Sequence, residues 1–340
     1  MTDAVGVIIV TFNSRAHFAR QKAALEAQTL PHRLIVIDNA SAPDQRPRAE
    51  DFPAGAAIIQ LDANTGFAHA NNMGVALLDA PWAVLLNPDA FPEPTWLQHL
   101  VAAAKAAPDA ASIGSTQVSA GDPAVYDGLG DCYHVFGIPW RGGYGWPTTA
   151  PPRAGEPFSA CAAAALYRTD AWRAVGGFDE ALFCYCEDVD LGFRLRLAGW
   201  RILQAPQAVV HHVGGASSGG RAGRSSDFAL RYGSRNRLWT FMKNMPGWAF
   251  WVFAPAHAAT TAYLLARAAG QGTFGPTWAG VREALAGLGP IWRARAQTQR
   301  TRTAPVVDIL AMMAWSPLTL NRRAPVLRTP RAAVAPVPAR

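Results

Sequence analysis

The first half of the chain alternates short apolar runs with segments in which apolar residues recur every three to four positions. Short apolar runs predict buried strands, and the longer repeat predicts amphipathic helices. This alternation indicates an α/β fold with a mostly parallel central sheet and flanking helices. The strands are predicted at residues 7–11, 34–38, 56–61, 83–86, 111–117 and 161–168, and the helices at 16–27, 67–79, 94–107, 169–175 and 187–198.

Residues 119–157 interrupt the pattern, because eight glycines and six prolines are mixed with aromatic residues there. This composition predicts a loop-rich, mobile segment. It is either a simple insertion or a segment that contacts a substrate or acts as a lid. Beyond residue 320 the chain is rich in Pro, Arg and Ala, which predicts a disordered tail.

Charge divides the chain into two unequal parts. Residues 1–200 carry 13 Lys and Arg against 21 Asp and Glu, a net charge of −8, whereas residues 201–340 carry 18 against 3, a net charge of +15. Such a basic part attracts nucleic acid, anionic lipid or a diphosphate. Nucleic acid is disfavoured, because no nucleic-acid-binding motif accompanies the basic residues.

The basic part surrounds an uncharged, aromatic stretch at residues 244–266. The stretch is long enough to span a bilayer, but prolines and polar residues interrupt it. Three interpretations stay open: a spanning helix, an interfacial amphipathic segment, or a buried helix pair.

Polar residues follow the first two predicted strands. Thr11 and Asn13 end the first, and Asp38 ends the second. Ligands bind at strand ends in such sheets, and a carboxylate is a suitable partner for the imide N–H of a pyrimidine. Asp38 could equally cap the following helix. No G-x-G-x-x-G sequence follows the first strand, which disfavours a dinucleotide-binding oxidoreductase.

A second group of polar residues follows the strand at 83–86. Asp89 is a candidate oxygen ligand for a divalent cation, although the sequence Asn87-Pro88-Asp89 could also be a simple turn. His212 ends a later apolar segment and could be a surface residue or, together with Asp89, a metal ligand.

Three acidic residues, Glu187, Asp188 and Asp190, begin the last predicted helix after an apolar and aromatic approach. Acids at a helix start are often caps, but a carboxylate in a partly dry site is an effective general base. Because Asp190 pairs with Arg194 one turn later, Asp188 remains available as the base.

The four cysteines lack the spacing of a zinc site, and residues 1–6 lead into an apolar strand without a basic region or cleavage site. We therefore expect reduced thiols and a cytoplasmic protein.

These motifs together closely resemble bacterial family 2 glycosyltransferases, in particular the rhamnosyltransferase-like branch. The matching motifs occur in the family's order over residues 5 to about 240: VTFNS at 10–14, VIDNAS at 36–41, NTGFAHANNMG at 64–74, LNPD at 86–89, GGFDE at 176–180, EDVDL at 187–191, HVGGAS at 212–217 and RNR at 235–237.

The resemblance implies a GT-A fold and a role for each matching residue. Thr11, Asn13 and Asp38 would hold the nucleobase and ribose. Asp89 would bind Mg²⁺ or Mn²⁺, with His212 as the second metal or diphosphate contact. Asp188 would be the catalytic base. The remaining donor-site residues would be Asn64, Gly66, Asn72 and Asn87, the last replacing the first acid of the family's D-x-D element.

The resemblance also implies an inverting transfer from a nucleotide-diphosphate donor, such as dTDP-rhamnose or a UDP-hexose, to a glycan or polyprenyl-diphosphate-linked acceptor. The basic charge and the aromatic stretch of the C-terminal part add an anionic membrane surface as a partner. We expect a catalytic domain at 1–240, a basic helical extension that associates with the inner face of the cell membrane at 241–320, and a disordered tail at 321–340. The alternatives are a nucleotidyltransferase acting on sugar phosphates, which should have a Gly- and Lys-rich loop after the first strand, and a non-catalytic membrane-bound scaffold.

Overall fold

A computed structural model describes residues 5–214 and 226–329. These residues form a nine-stranded sheet with flanking helices and a separate two-stranded hairpin. The strands are β1 Val5–Thr11, β2 Arg33–Asp38, β3 Ala57–Gln60, β4 Trp82–Leu86, β5 Ala90–Pro92, β6 Ala110–Ser119, β7 Tyr126–Gly128, β8 Asp131–His134, β9 Ile138–Arg141, β10 Ala164–Arg168 and β11 Arg201–His212. The helices are α1 Phe18–Glu26, α2 Gly66–Ala76, α3 Trp96–Ala106, α4 Thr169–Ala174, α5 Glu187–Leu197, α6 Asp227–Asn244, α7 Gly247–Gly270, α8 Phe274–Ala286, α9 Leu288–Arg300, α10 Val306–Met312 and α11 Pro317–Asn321.

The strand order is β3-β2-β1-β4-β10-β6-β11-β5, with β7 paired to β6. The strands β1 to β4 run parallel to one another, as do β6 and β11. The predicted α/β class with flanking helices is confirmed. The sheet is mixed, however, because β10 inserts between β4 and β6 and runs antiparallel to both.

Alternate residues of the central strands build a core on each face of the sheet. On one face Val7 and Ile9 of β1 pack with α1 and α3. On the other face Ile8 of β1 packs with residues of α2 and α5. Both faces of β1 are apolar because helices cover both, as expected for a central parallel strand. This packing fixes the strand ends at which the polar residues emerge.

The Gly- and Pro-rich segment is more regular than predicted. It forms β7 and the β8-β9 hairpin, and most of residues 126–136 are buried. Tyr133 stacks on Phe158 and meets Phe193 edge-on, with ring centroids 5.0 and 5.3 Å away. Most of its residues nevertheless lie outside the strands, so the loop-rich character is confirmed, and its mobility stays a prediction.

The C-terminal helices pack on the sheet domain through an apolar cluster. Phe241 of α6, Phe250 and Phe253 of α7, and Ile309 of α10 meet Phe193 of α5 in this cluster. The boundary predicted at residue 240 falls inside α6, so this helix belongs to both parts.

Part of the predicted tail pairs with the rest of the chain. The backbones of Arg328 and Glu156 exchange two hydrogen bonds, of 2.9 and 3.0 Å, and the Trp140 indole donates to the Ala324 carbonyl. Residues 330–340, and residues 215–217 of the predicted HVGGAS motif, lie outside the described residues.

Within the described ranges, α7 alone is long and apolar enough to cross a membrane. It is one continuous helix with Pro255 inside it. Only 17% of its most apolar stretch is buried. Phe250 and Phe253 attach it to the apolar cluster, whereas Trp251 and Tyr263 are exposed. The interpretation of this stretch as a buried helix pair is therefore wrong.

Candidate active site

A cavity of about 760 Å³ opens at the carboxyl ends of β1 and β4. Ligands of open α/β sheets bind at this edge, because connecting loops there surround a crevice. The wall includes six of the ten predicted site residues: Asn64, Gly66, Asn87, Asp89, Asp188 and His212.

The three residues predicted to bind the nucleobase and ribose lie beside the cavity. Thr11 and Asp38 are buried, and the Thr11 hydroxyl donates to Asp38 Oδ1 at 3.2 Å. Asp38 Oδ2 is also buried, and no donor from the described residues reaches it. Asn13 is exposed, has a positive φ of 52°, and accepts a hydrogen bond from the backbone of Ala42. The cavity wall at this point is formed by neighbouring residues, including Phe12 and Asn39.

The segment between β3 and α2 shapes the next part of the wall. Asn64 Oδ1 accepts from the Asn39 amide and from the Gly66 backbone, both at 3.0 Å. Gly66 has a φ of +87°, and a Cβ there would lie 2.5 Å from a ring carbon of Phe183. Glycine is therefore required by conformation and by space.

Asn72, in contrast, does not line the cavity. Its amide exchanges two hydrogen bonds with the backbone of Phe178 and donates to Glu180. Asn72 therefore holds the GGFDE segment, residues 176–180, against α2. Its predicted position in the wall of the donor pocket is wrong.

Asp89 and His212 meet in the cavity because β5 and β11 are paired. His212 Nε2 lies 3.3 Å from Asp89 Oδ1, and both side chains are buried. Burial disfavours the charged imidazole, but Asp127 and Asp89 outweigh it and raise the pKa of His212 to about 9. Burial also opposes ionisation of Asp89, yet the bond to His212 holds the pKa of that carboxyl below its usual value.

Two residues that the sequence analysis missed support this pair. Asp127 Oδ2 lies 2.7 Å from His212 Nδ1, and the guanidinium of Arg141 donates to the same carboxylate. Both come from the segment 119–157, where Asp127 stands on β7 and Arg141 on β9. Their only signal in the sequence is a charged side chain within a stretch of Gly, Pro and aromatic residues.

The residues present fit a divalent cation. Asp89 offers an oxygen and His212, once a cation displaces its Nε2 proton, a ring nitrogen, while Asn87 Oδ1 is buried without a donor from the described residues. Asn87 Nδ2 lies 3.5 Å from His212 Nε2, so the three side chains face one another. A carboxylate behind a ligating histidine, as Asp127 is here, fixes the ring orientation in many metal sites.

Asp188 lies in the same cavity, at the start of α5. Its carboxylate accepts hydrogen bonds from the backbone N–H groups of Val189 at 2.8 Å and Ala162 at 3.2 Å. Burial nevertheless raises the pKa of Asp188 above its usual value. Asp131 and Cys161, which the sequence analysis did not single out, line the cavity next to it.

The loop before Asp188 has an unusual backbone. Phe183, Tyr185 and Cys186 all have positive φ, between 63° and 67°. Such conformations are costly for side chains other than glycine and persist only where the surroundings impose them. Here the Asn236 amide of α6 donates to the carbonyls of Leu182, Cys184 and Tyr185 at 2.7 to 2.8 Å.

The aromatic side chains of this loop meet α6 at the cavity. Phe183 stacks on Tyr232 with centroids 5.3 Å apart, and Phe228 meets Tyr185 at 6.1 Å. All four rings line the cavity. The first half of α6 is therefore part of the candidate site.

Comparison with known sequences gives a family and two informative relatives. The profile of glycosyl transferase family 2 matches residues 6–175. The chain is 32% identical over 242 residues to the N-acetylglucosaminyl-diphospho-decaprenol L-rhamnosyltransferase of Mycobacterium tuberculosis. This alignment covers 62% of this chain and 77% of the rhamnosyltransferase. It is 27% identical over 254 residues to the O-antigen biosynthesis protein RfbC of Myxococcus xanthus, covering 70% of this chain and 20% of that protein.

Comparison with solved structures agrees on the fold. The mannosyltransferase PcManGT from Pyrobaculum calidifontis, solved with GDP-Man and Mn²⁺, has a TM-score of 0.51 at 16% identity and covers 90% of this chain and 86% of that one. The fold and the family that the motifs implied are both confirmed. Since the family profile spans half of the chain and the rhamnosyltransferase aligns over most of its own length, this chain belongs to glycosyl transferase family 2 and is a glycosyltransferase.

Proposed function

We propose that this chain moves a sugar from a nucleotide-diphosphate donor to a hydroxyl of a polyprenyl-diphosphate-linked glycan during cell-surface polysaccharide assembly, with inversion at the anomeric carbon. One observation carries the proposal: the Asp89–His212 pair and Asp188 line the same cavity. Glycosyl transfer needs stabilisation of the leaving diphosphate and a base beside the attacking hydroxyl. This cavity supplies candidates for both.

The donor nucleotide would lie at the ends of β1 and β2. Asp38 Oδ2 lacks a donor among the described residues, and the imide N–H of a pyrimidine would supply one. Thr11 holds the other oxygen of the same carboxylate, so the acceptor atom is fixed before binding. Asn13 would contact the ribose, and Asn64 and Gly66 would bound the donor pocket.

The diphosphate would lie beside Asp89, His212 and Asn87. These residues would hold Mg²⁺ or Mn²⁺, which when bound neutralises the charge that develops on the departing diphosphate. Asp127 and Arg141 would orient the imidazole from behind. A single acid in place of the D-x-D pair leaves one anionic ligand fewer, so we expect weak metal affinity in the absence of donor.

Asp188 would take the proton of the acceptor hydroxyl. Two backbone N–H groups fix its carboxylate, which favours a defined direction of attack. A single displacement by that hydroxyl inverts the anomeric centre. The family, and not a separate observation in this cavity, is the basis for choosing inversion.

Donor and acceptor classes follow from the relatives. The Mycobacterium tuberculosis relative is named as a rhamnosyltransferase acting on N-acetylglucosaminyl-diphospho-decaprenol, and we propose the same classes here: a deoxyhexose donor and a polyprenyl-diphosphate acceptor. The test measures nucleotide release from dTDP-rhamnose, UDP-glucose, UDP-galactose and GDP-mannose. Each donor is tested with and without a short-chain polyprenyl-diphosphate N-acetylglucosamine as acceptor. Each of these reactions is run with Mg²⁺, with Mn²⁺ and with EDTA.

We expect acceptor-dependent release of dTDP that EDTA abolishes. Release of pyrophosphate from a nucleoside triphosphate and sugar phosphate would instead identify a nucleotidyltransferase. Absence of binding to every donor would leave only a scaffold role, and activity unaffected by EDTA would remove the metal roles of Asp89 and His212.

We further propose that the C-terminal helices rest on an anionic membrane. Residues 226–329 carry 13 Lys and Arg against 3 Asp and Glu. Trp248, Trp251 and Val252 of α7 are exposed at helical spacing, and Trp251 lies 6.3 Å from the ring of exposed Trp292 on α9. An apolar aromatic surface within a basic region is typical of proteins that bind the membrane interface. The protein would then act at the cytoplasmic face of the cell membrane.

Vesicle flotation tests this surface. The full chain should float with vesicles containing phosphatidylglycerol, less at high salt and less with neutral lipid. Replacing Trp248 and Trp251 by serine should reduce flotation, whereas replacing the half-buried Thr260 of the same helix by serine should not. A full chain that stays with the soluble fraction at low salt contradicts the proposal.

A further inference from the structure

Two carboxylates and a thiol meet in the cavity wall. One carboxylate oxygen of Asp131, one of Asp188 and Cys161 Sγ all lie within 4.8 Å of one another. Asp131, at the start of β8, is 5% exposed, and its Oδ2 receives no hydrogen bond from the described residues. Two buried carboxylates at this separation disfavour a second negative charge, so a proton or a cation must balance the pair.

The neighbouring groups provide little positive charge. The positive charge of Arg141 acts on both carboxylates, but its guanidinium already bonds to Asp127. The other titratable groups that interact with the pair are Asp127, Glu187, Tyr167, Cys132, Cys186 and Cys161. Burial raises the pKa of the Cys161 thiol, so a thiolate ligand for a metal ion is not favoured there. A proton is therefore the simpler balance.

Hydrogen bonds indicate which carboxylate holds this proton. Asp188 accepts two bonds from backbone N–H groups, which stabilise its charged form. Asp131 Oδ2, in contrast, has no donor among the described residues. Burial first, and then the charge of Asp188, raise the pKa of Asp131 well above its usual value.

We propose that Asp131 is a neutral, proton-bearing positioning residue that donates a hydrogen bond to Asp188 and thereby keeps Asp188 ionised as the base. The inference rests on the base role proposed for Asp188. In the reaction, the acceptor oxygen forms the new bond to the anomeric carbon, and the bond from that carbon to the diphosphate breaks with its electron pair on the leaving group. The hydroxyl proton passes to Asp188 and later to water, while Asp131 retains its own proton.

The variants Asp131→Asn and Asp131→Leu together distinguish a neutral, hydrogen-bond-donating Asp131 from an ionised Asp131. An asparagine amide is uncharged and can donate to Asp188, so Asp131→Asn should keep transfer within a few-fold of wild type. Leucine cannot donate, so the pKa of Asp188 should rise and the acid limb of kcat/KM should move to higher pH by about one unit. A purely structural role predicts loss of activity without this shift.

An ionised Asp131 predicts the opposite. Removing an anion would lower the pKa of Asp188, so both variants would move the acid limb to lower pH. The control is Asp122→Asn, which alters an exposed carboxylate of the same segment and should leave the pH profile unchanged. An acid limb that moves to lower pH in either Asp131 variant overturns the proposal.

A measurement without turnover tests the same proton. In the infrared spectrum of protein labelled with ¹³C at aspartate carboxyl groups, wild type at neutral pH should show a protonated carboxylic acid band that Asp131→Asn lacks. Absence of that band in wild type overturns the inference whether or not transfer is detected. Absence of transfer with the band present instead counts against the proposed function.

Discussion

His212 and Asp127 are 85 positions apart in the chain, yet His212 Nδ1 lies 2.7 Å from the Asp127 carboxylate. The contact exists because β7 pairs with β6, which also carries β11 as its parallel neighbour. It directs Nε2 of the ring towards Asp89. Asp127 is therefore the residue most directly linked to the proposed metal site without being a ligand.

Replacing Asp127 by asparagine should weaken metal-dependent donor binding by about 10- to 100-fold, as found when a carboxylate behind a ligating histidine is lost. Titration calorimetry of nucleoside diphosphate with and without Mn²⁺ measures it. Asp122→Asn is the control, since Asp122 is exposed and bonds only within its own turn. Unchanged Mn²⁺ dependence in Asp127→Asn would contradict the orienting role.

Replacing Asp188 by asparagine should preserve donor affinity while transfer falls by about 10²-fold or more, as expected when a general base is removed. The comparison variant is Asp170→Asn, which alters a surface carboxylate paired with Arg168. Single-turnover transfer and donor titration together separate chemistry from binding. Full turnover in Asp188→Asn would exclude this residue as the base.

Replacing Asn236 by leucine should release the loop that precedes Asp188. The fully buried amide contacts three carbonyls of a loop with three positive-φ residues, and leaving them unsatisfied should cost about 1–3 kcal/mol. Transfer should fall even at temperatures where the variant is folded. Gln297→Leu, an exposed amide on α9, is the control for both unfolding and activity. Full activity with a lower melting temperature would mean that the loop keeps its shape without Asn236.

Asp190 should make the stability of the fold depend on pH. Although burial opposes its ionisation, Lys243 at 2.8 Å and Arg194 at 2.8 Å hold the pKa of Asp190 below its usual value. The stabilisation is therefore complete above the unfolded-state pKa of about 3.9 and is lost as pH falls through the lower folded-state value.

Asp190→Asn should consequently be less stable at neutral pH, by about 3–5 kcal/mol, because buried Arg194 loses its carboxylate and buried Lys243 loses one of its two carboxylates. Its stability should also change less than that of wild type between neutral and strongly acidic pH. Urea unfolding across this range measures both effects. Asp170→Asn should show a much smaller difference, because its ion pair with Arg168 is exposed. Parallel curves for wild type and Asp190→Asn would contradict the linkage.

The elements that the sequence predicted well are those with strong local signals. Apolar runs indicated β1, β2 and β4, and polar residues at their ends indicated the cavity edge on which Asp89 now lies. The strands within residues 126–141 were not predicted because they are only three or four residues long, too short for a period to show. Asp127, Asp131 and Arg141 were missed with them. Their roles arise from pairing between distant strands, which no local pattern encodes.

The helix α6 joins the cavity to the surface proposed to rest on lipid. Phe228 near its start lines the cavity, and Asn244 at its end leads into α7. With a rise of roughly 1.5 Å per residue, these positions are about 24 Å apart along the helix. If α7 rests on lipid, Phe228 can stand no further than this length above Asn244, measured along the membrane normal. The length of the glycan between its lipid anchor and its terminal hydroxyl, as well as its chemistry, would then select acceptors. A glycan one or two sugars beyond its lipid anchor could present its terminal hydroxyl at the cavity, whereas the end of a long polymer would extend past it.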